Sequence, residues 1–552
     1  VTNKEIIKTF RTAAVLAELY GDEAKPYYSA VFNIEKISAE LQDKDPSEMK
    51  ALGLTAFQAK SVYDLLHTGT FSELKEYLDK TPLGVVDMLV IKGLGGKKVG
   101  QLWREHGIDS IQSLKSACQS GLLAEMKGFG LKSQEAILHQ IGFLLTSSEK
   151  KHLNQAEKIG MELLSKIQAR YSQAIVVGQI RRWLPVVDKL EILAVADQQG
   201  HSFISQLEGA VYQINLSGPF VWRGKYNSFD LEVHFCLEKN FAGESLLLSS
   251  SPQHLSHFDL WKQAKTGVFQ SEEAIYQSVG LPYFPPELRE GQNEFEFERN
   301  FGLGQIIEYK DLKGILHSHS TYSDGRHSLR EMAVTCRDLG FEYLGISDHS
   351  QSAFYAGGLN PTAIERQHHE IDSLNLELAP FKILKGIESD ILNDGSLDYE
   401  ESVLERFDFI IASIHSGLSM SEAKASARLI KAIENPYTSI LGHPTGRLLL
   451  KREGYPIDHK AVIDACAQYS VAIEINSHPW RLDLDWKWVQ YAVSKGVMIA
   501  ICPDAHEKEA YAYMELGLRM ARKGCLPKSL ALNALSLPEI ERFFAQQKRN
   551  KK

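Results

Sequence analysis

The chain has 552 residues, 44% hydrophobic and 24% charged, which excludes wholesale disorder and at roughly 150 residues per domain predicts about three or four domains. Its 61 basic and 70 acidic side chains leave a formal charge of −9, which excludes a uniformly basic nucleic-acid coat but not a local basic patch. Six scattered cysteines (Cys118, Cys236, Cys336, Cys466, Cys502, Cys525) with no C-x-x-C pair argue against a disulfide framework and fit a reducing cytoplasm, and no stretch reaches the roughly 18 apolar residues of a membrane span.

The first residues, VTNKEIIKTFRTAAV, lack the apolar core of a signal peptide, so secretion is not expected. Residues 1 to 145 read as helical, with apolar positions at helical spacing in KTFRTAAVLAELY and SVYDLLHTGTFSELKEYL. Two segments here have the form of helix-hairpin-helix elements. IKGLGGKKVGQLW has Gly93 and Gly95 followed by Lys97 and Lys98, and MKGFGLKSQEAIL has Gly128 and Gly130 followed by Lys132. A G-x-G hairpin exposes backbone N–H groups at a helix N-terminus, where a phosphate can bind. The lysines would add sequence-independent, salt-sensitive contacts. One such pattern is also what a plain tight turn looks like; two with matching lysines favour DNA. A third stretch, ALGLTAFQAKSV, keeps Gly53 but has Thr55 in place of the second glycine.

From 150 to 240 a helix, QAEKIGMELLSKIQARY, precedes the strand-like runs AIVVG, LEILAVA, YQINLS and FDLEVHFC, which predicts an α+β unit. Residues 241–300 are mixed, and the polar stretch from Glu290 to Asn300 reads as a linker.

From Lys313 the regime changes. GILHSH, YLGISDH, KILKGIESDI, FDFIIASIH, SILGHP, VAIEINSH and VMIAICPDAH alternate with helical segments, which predicts a parallel sheet closed into a barrel. All seven runs end in His, Asp, Glu or Asn, and in a β/α barrel those ends meet on one face. They supply His317 and His319, two apart and so on one side of a strand, then Asp324 in the following loop, Asp348 with His349, Glu388, His415, His443, Asn476, and Asp504 with His506. Imidazole and carboxylate suit Zn, Mn and Fe. A lone histidine near a strand end is ordinarily a hydrogen-bonded surface or core residue; the whole set points to a metal centre.

HSHSTYSDG, SDH, GIESDI, SIH, GHPTGR and PDAH, in that order, resemble the motifs of PHP (polymerase and histidinol phosphatase) domains over residues 313 to about 545. The resemblance implies a distorted seven-stranded β/α barrel holding three divalent metals (Mn, Zn or Fe, with Mn best for activity). It implies metal ligands at His317, His319, Asp324, His349, Glu388, His415, His443, Asp504 and His506. Pro503 departs from the Thr or Ser usual before the aspartate. His349 and Asp504 are expected to carry catalysis, Arg447 to contact a phosphate oxygen, and Asp348 to orient a ligand histidine. Three divalent ions against the carboxylates of Asp324, Glu388 and Asp504 leave net positive charge, which suits a phosphoester.

VVGQIRRWLPVVDKLEILAVA resembles the nucleotidyltransferase motif of family X DNA polymerases, with Gly178, Arg181 and Arg182 matching. Lys189 and Glu191 stand where that motif has its two aspartates, Gln179 replaces its serine, and Asp230 is the expected third carboxylate. Two-metal transfer needs carboxylates at i and i+2 on one strand face. An ammonium there repels Mg²⁺, and Lys189 is expected to pair with Glu191 and Asp230. Asp188, three residues from Glu191, faces the other side of a regular strand. SSSPQHL keeps the His254 of a second family motif but has Ser250 and Leu255 for its Gly and Asn. GLPYFPPELREG matches the end of the polymerase core, and the lyase lysine of some relatives falls at Ser61, beside Lys60.

Residues 1 to about 545 thus resemble bacterial family X DNA polymerases with a PHP domain. The expected multidomain fold has an N-terminal all-α helical domain (1–80), a helix-hairpin-helix domain (81–147), an α+β palm-like nucleotidyltransferase domain (148–240), a thumb-like domain (241–300), a linker (301–312) and a (β/α)7 PHP phosphoesterase barrel (313–552). The expected activity is 3′–5′ exonuclease or abasic-site and 3′-end processing by the barrel. The polymerase module is expected to be inactive and DNA-binding. The expected partner is gapped, nicked or 3′-ended DNA, bound without sequence preference by a cytoplasmic monomer. A gap-filling polymerase, a histidinol-phosphate-type phosphatase and a non-enzymatic DNA scaffold remain as alternatives.

Overall fold

The computed structural model describes residues 2–551, apart from 38, 92, 148, 172 and 197–199. The chain divides into two compact units, Val1–Ser148 and Glu149–Lys552.

Among the described residues, every regular element of the first unit is helical. Helix Asn3–Tyr20 shows the reason. Ile6, Phe10, Ala13, Ala14 and Ala17 recur at three- and four-residue spacing and are all buried. Thr2 and Glu5 form a capping box at its start, and Gly21 ends it in the left-handed conformation. Phe10 stacks on Phe71 at 5.0 Å in a core that includes Val62, Val99 and Leu102. Gly53, Gly93 and Gly128 have φ of +99°, +94° and +89°, a conformation that favours glycine. Each leads within three residues into a helix: Ala56–Thr68, Gly96–His106 and Leu131–Ser147.

The second unit begins with helix Leu153–Gln168 and a five-stranded sheet of β1 (Ala174–Val176), β2 (Leu190–Val195), β3 (Ala210–Tyr212), β4 (Val221–Tyr226) and β5 (Phe229–Cys236). The strand order is β1-β2-β5-β4-β3. β2 and β5 run parallel, with Glu191 opposite Glu232, and the other neighbours are antiparallel. β5 alternates buried and half-buried positions, so Asp230, Glu232 and His234 share its open face. The helices between 241 and 300 enclose a small core of Leu246, Leu260, Ile275, Tyr276 and Phe284.

The C-terminal part is a seven-stranded parallel sheet of β6 (Gly314–Ser318), β7 (Tyr343–Ile346), β8 (Lys382–Asp390), β9 (Phe409–Ser413), β10 (Ile440–Leu441), β11 (Ala472–Asn476) and β12 (Ile499–Cys502), in chain order. The His319 N–H donates to the Ala505 carbonyl at 2.8 Å and Ser318 bridges Ala505, so the first and last strands nearly close the barrel. These are the seven runs the sequence predicts. β6, β7, β9, β11 and β12 are buried along their whole length, which explains why they are continuous apolar runs rather than alternating ones.

The barrel and the palm-like sheet share one continuous apolar core. Helix Met514–Lys523 adds polar ties: Arg519 to Glu157 at 2.6 Å, Arg522 to Glu287 at 2.9 Å, and the buried Lys523 ammonium to Glu290 at 2.6 Å. Burial lowers the Lys523 pKa to about 8, against the pull of Glu290. The stretches read as linkers are packed. Glu294, Phe297, Ile306 and Ile307 are all buried, and the Ile307 N–H donates to the Leu526 carbonyl. All six cysteines are buried, and no helix among the described residues is long and apolar enough to cross a membrane.

Candidate metal centre

The nine residues expected as metal ligands all lie at the C-terminal strand ends or in the loops that follow. Glu388, at the end of β8 and 1% exposed, is the hub. Its carboxylate lies 3.0 Å from His443 Nε2, 3.2 Å from His415 Nε2, 3.0 Å from His349 Nδ1, 3.3 Å from His317 Nε2 and 3.7 Å from His319 Nε2. Asp504 lies 3.2 Å from His319 Nε2 and 3.5 Å from His317 Nε2. Asp324 lies 3.3 Å from His506 Nε2 and 3.6 Å from His349 Nε2.

Eight of these residues form three overlapping groups whose ligand atoms lie within 4.8 Å of one another: His319, Asp324, His349 and His506; His317, His319 and Asp504; His349, Glu388 and His415. His443 joins through Glu388.

The donor set fits divalent cations. His317 Nε2, His319 Nδ1, His349 Nδ1, His443 Nδ1 and Glu388 Oε2 are buried without a hydrogen-bond partner, which is costly unless a cation takes the lone pairs. Burial, then His506 and His349, lowers the His319 pKa to about 3. His317, His443 and Asp504 have φ of +63°, +21° and +52°, none of them glycine. Such strain costs of order 1–3 kcal/mol per residue and collects at functional sites.

Two carboxylates that the sequence reading did not single out orient the rings. His317 Nδ1 donates to Glu474 Oε1 at 2.5 Å, and His415 Nδ1 donates to Asp390 Oδ1 at 2.5 Å. Each bond fixes the tautomer and turns Nε2 inward. Glu474 also accepts the His443 backbone N–H at 2.5 Å. A signal existed: Asp390 is two residues from Glu388 on β8, and Glu474 two from Asn476 on β11, so each pair shares a strand face. Asn476 donates to Asp504 Oδ2 at 3.0 Å.

Two expected roles need correcting. Asp348 does not hold a histidine. It accepts from the Ser320 and Ser323 N–H and hydroxyl groups and from Gln367, and so braces the turn that carries Asp324. Arg447 is committed elsewhere: Nη1 to Asp485 at 2.6 Å, Nε to the Arg481 carbonyl at 2.9 Å and Nη2 to the Leu482 carbonyl. The arginine beside the cluster is Arg481, 3.7 Å from Asp504.

On the palm-like sheet Lys189 pairs with Glu191 at 3.1 Å, as expected, but its second partner is Glu232 at 3.0 Å. Asp230 instead holds Lys225 at 3.1 Å. The β2/β5 register decides this by setting Glu191 opposite Glu232. Glu191, Glu232 and His234 form a further group of ligand-type atoms, with the Lys189 ammonium bonded to both glutamates. Gly178 backs onto this group, since a Cβ there would fall 2.0 Å from Glu191 Oε2. Asp188 bonds Gln179 and Lys150. Arg181 is bound by Glu272, Ser245 and Ser249, and Arg182 by Glu290. His254 is a core residue between Glu294 and Tyr276, 2.7 Å from each.

In the first unit the two lysine-bearing hairpins are neighbours. The Lys98 ammonium lies 5.3 Å from the Phe129 ring centroid, and Gln101 donates to the Lys127 carbonyl at 3.1 Å. Gly93, Gly95, Lys97, Gly128, Gly130 and Lys132 are exposed. Helix Gly96–His106 has no side-chain cap. At the third turn the Thr55 hydroxyl accepts from the Gln58 N–H at 3.2 Å and so caps its helix internally. Ser61 is buried and Lys60 exposed.

The PHP domain family matches residues 316–478. A probable phosphatase of Thermoanaerobacter sp. (strain X514) is 31% identical over 43% of this chain and 97% of its own length. Polymerase beta of Leishmania infantum, solved as a ternary gap complex, is 13% identical over 39% of this chain and 95% of its own, with a TM-score of 0.23, too low to bear on the fold. The DNA polymerase/3′-5′ exonuclease PolX of Bacillus subtilis (strain 168) is 34% identical over 98% of this chain and 99% of that protein. A likeness that spans helical unit, palm-like sheet and barrel alike makes the chain a member of the PolX family.

Proposed function

We propose that this chain is a DNA-repair enzyme whose barrel hydrolyses phosphodiester bonds at 3′ ends. We keep the domain bounds expected from the sequence, with 301–312 as a packed connection rather than a free linker, the hairpins at 81–147 holding DNA and the barrel at 313–552 cutting it. The observation that carries the reading is the Glu388 hub, ringed by His317, His349, His415 and His443, with buried nitrogens of His317, His349 and His443 left without a hydrogen-bond partner. His317, His319, Asp324, His349, Glu388, His415, His443, Asp504 and His506 would hold three divalent ions, Mn²⁺ serving best. Such ions supply Lewis acidity and an activated water. The chain's own part is to orient the ligands through Glu474 and Asp390 and to offer Arg481 to a phosphate oxygen. The protein acts as a cytoplasmic monomer.

The polymerase-like region is read as a scaffold without nucleotidyl transfer, because Lys189 stands at one of the motif's two aspartate positions and its ammonium bonds Glu191 at the other, together with Glu232. Purified protein with 5′-labelled gapped or abasic DNA and Mn²⁺ is expected to shorten the strand equally with and without dNTPs. Extension that depends on dNTPs would overturn the scaffold reading, and loss of histidinol phosphate without any attack on DNA would favour a small-molecule phosphatase.

Replacing Lys97, Lys98 and Lys132 with alanine is expected to weaken DNA binding equally for all sequences. At about 0.7–0.9 per lost phosphate contact, the slope of log K against log salt should fall by about 2 to 3. An unchanged slope would make the hairpins structural only.

A further inference from the structure

We propose that Phe354 and Tyr355 form a stacking platform for the unpaired 3′-terminal base of the strand entering the barrel; this rests on the exonuclease reading above. The two side chains are 84% and 71% exposed. Single exposed aromatics are ordinary, but three features set this pair apart.

The first is position. The chain passes from His349 directly into this loop, and the Leu359 N–H returns to the His349 carbonyl at 2.8 Å. Ser350 bridges Leu359, so the loop leaves and rejoins the fold at a metal-ligand position.

The second is rigidity. Ala353 donates to the Ser350 carbonyl at 3.0 Å, and Ala356 and Gly358 donate to the Ala353 carbonyl at 2.9 and 3.1 Å. The Ser352 N–H donates to Asp398 at 2.6 Å, and its hydroxyl to Asp390 at 3.0 Å, the carboxylate that orients His415. Ala353, Ala356 and Leu359 are buried. The loop thus buries its small residues and presents its two rings outward. A preorganised platform loses little entropy when a ligand lands on it.

The third is proximity to the cluster. A Cβ on Gly357 would lie 3.6 Å from the Ser323 carbonyl oxygen, so the tip abuts the turn that carries Asp324. The packing around Tyr355, then the nearby carboxylates of Asp390, Glu388 and Asp324, raises its pKa to about 12, and Arg481 acts in the opposite sense. Through the Gly357 contact and through His349, where it begins, the loop flanks two of the residues expected to hold metal.

A nucleotide whose phosphate lies at the cluster carries its base a few ångströms away. Every base has a π face, so a ring at that distance grips any base without reading its edge. A base inside a duplex already has both faces covered. A frayed or single-stranded 3′ terminus does not, and it is the occupant the platform fits.

The test compares 5′-labelled single strands ending in 3′ thymidine or in a 3′ abasic tetrahydrofuran residue, with full-length protein and Mn²⁺. Wild type should favour the thymidine end. Phe354→Ala/Tyr355→Ala should collapse that preference in kcat/KM by roughly 5- to 100-fold, and Tyr355→Phe, which keeps the ring, should retain it. A wild type indifferent to the base, or a double variant with an unchanged ratio, overturns the proposal. A second readout is free of turnover. In an Asp504→Ala background a 3′-terminal 2-aminopurine should be quenched on binding, and the double variant should abolish the quench. If wild type trims neither end, the exonuclease reading fails, while quenching still decides the stacking.

Discussion

Asp504→Ala is expected to lower DNA hydrolysis by about a thousandfold or more while DNA binding stays within about twofold. Asp504 sits 3.2 Å from His319 and 3.5 Å from His317, and Asn476 and Arg481 hold its other oxygen. Removing the carboxylate takes away a ligand and leaves His317 and His319 to share the Glu388 carboxylate, 3.3 and 3.7 Å away. A charged site stripped of its counter-charge is far more damaged than one that loses a neutral contact. His349→Ala should behave alike, because it stands in two of the three ligand groups. Glu474→Gln should be milder, about 10- to 100-fold, since it disturbs the orientation of His317 but deletes no ligand. The measurement is single-turnover trimming of a labelled strand beside a binding isotherm, with metal content read on each protein. An Asp504→Ala enzyme that trims at the wild-type rate would remove the barrel cluster from the mechanism. Full activity after exhaustive chelation would do the same.

Glu272→Gln is expected to cost about 3–5 kcal/mol, the usual result of stranding a buried charge, and to lower Tm by several degrees. Glu272 is 7% exposed and lies between Arg181 at 2.5 Å and Arg289 at 2.6 Å. The Arg289 side chain is fully buried, and its only other hydrogen-bond acceptor among the described contacts is the Phe284 carbonyl. Burial alone would raise the Glu272 pKa, but the two guanidiniums outweigh it and bring it from 4.5 down to about 2. A carboxylate whose pKa is depressed by folding stabilises the fold fully above its unfolded pKa and progressively less as pH falls through the folded one. The wild type should therefore lose this contribution between about pH 4.5 and pH 2, and the glutamine variant should show a flatter acid limb over that window. Denaturation midpoints at pH 7 and along that limb would measure both effects. A variant as stable as wild type at pH 7 would mean that the buried arginine finds other compensation. The network has a second consequence. Arg181 and Arg182 match the polymerase motif in sequence, yet both are engaged by glutamates.

How much was legible beforehand depends on the range of each signal. The barrel strands could be read because a strand buried on both faces is a short unbroken apolar run, as in FIIAS of β9 and AIEIN of β11. The candidate ligands were legible because they lie at or just after the ends of such runs, and the resemblance to PHP motifs narrowed them to nine. The hairpin glycines were equally local, since a positive φ at Gly93 and Gly128 is a property of one residue and its neighbours. Arg447 was misassigned because its motif places it in sequence but says nothing of Asp485, 38 residues away, which holds it. Asp230 is the partner expected for Lys189 beside Glu191, and Glu232 takes that place for the same kind of reason. Both lie on the open face of β5, and only the register with β2 chooses between them.

The amino-acid order by itself determined which side chains could bind metal, which strand ends would carry them, and that a lysine interrupts the polymerase carboxylates. The tertiary structure alone decided that Glu474 and Asp390 orient the histidines, that Arg481 rather than Arg447 stands at the cluster, and that the 350–359 loop turns two aromatic rings outward beside the metal centre. Those outcomes depend on register and on packing between segments tens to hundreds of residues apart. Strand periodicity and turn chemistry reach only a few residues along the chain, so no local pattern records which distant carboxylate completes a hydrogen bond.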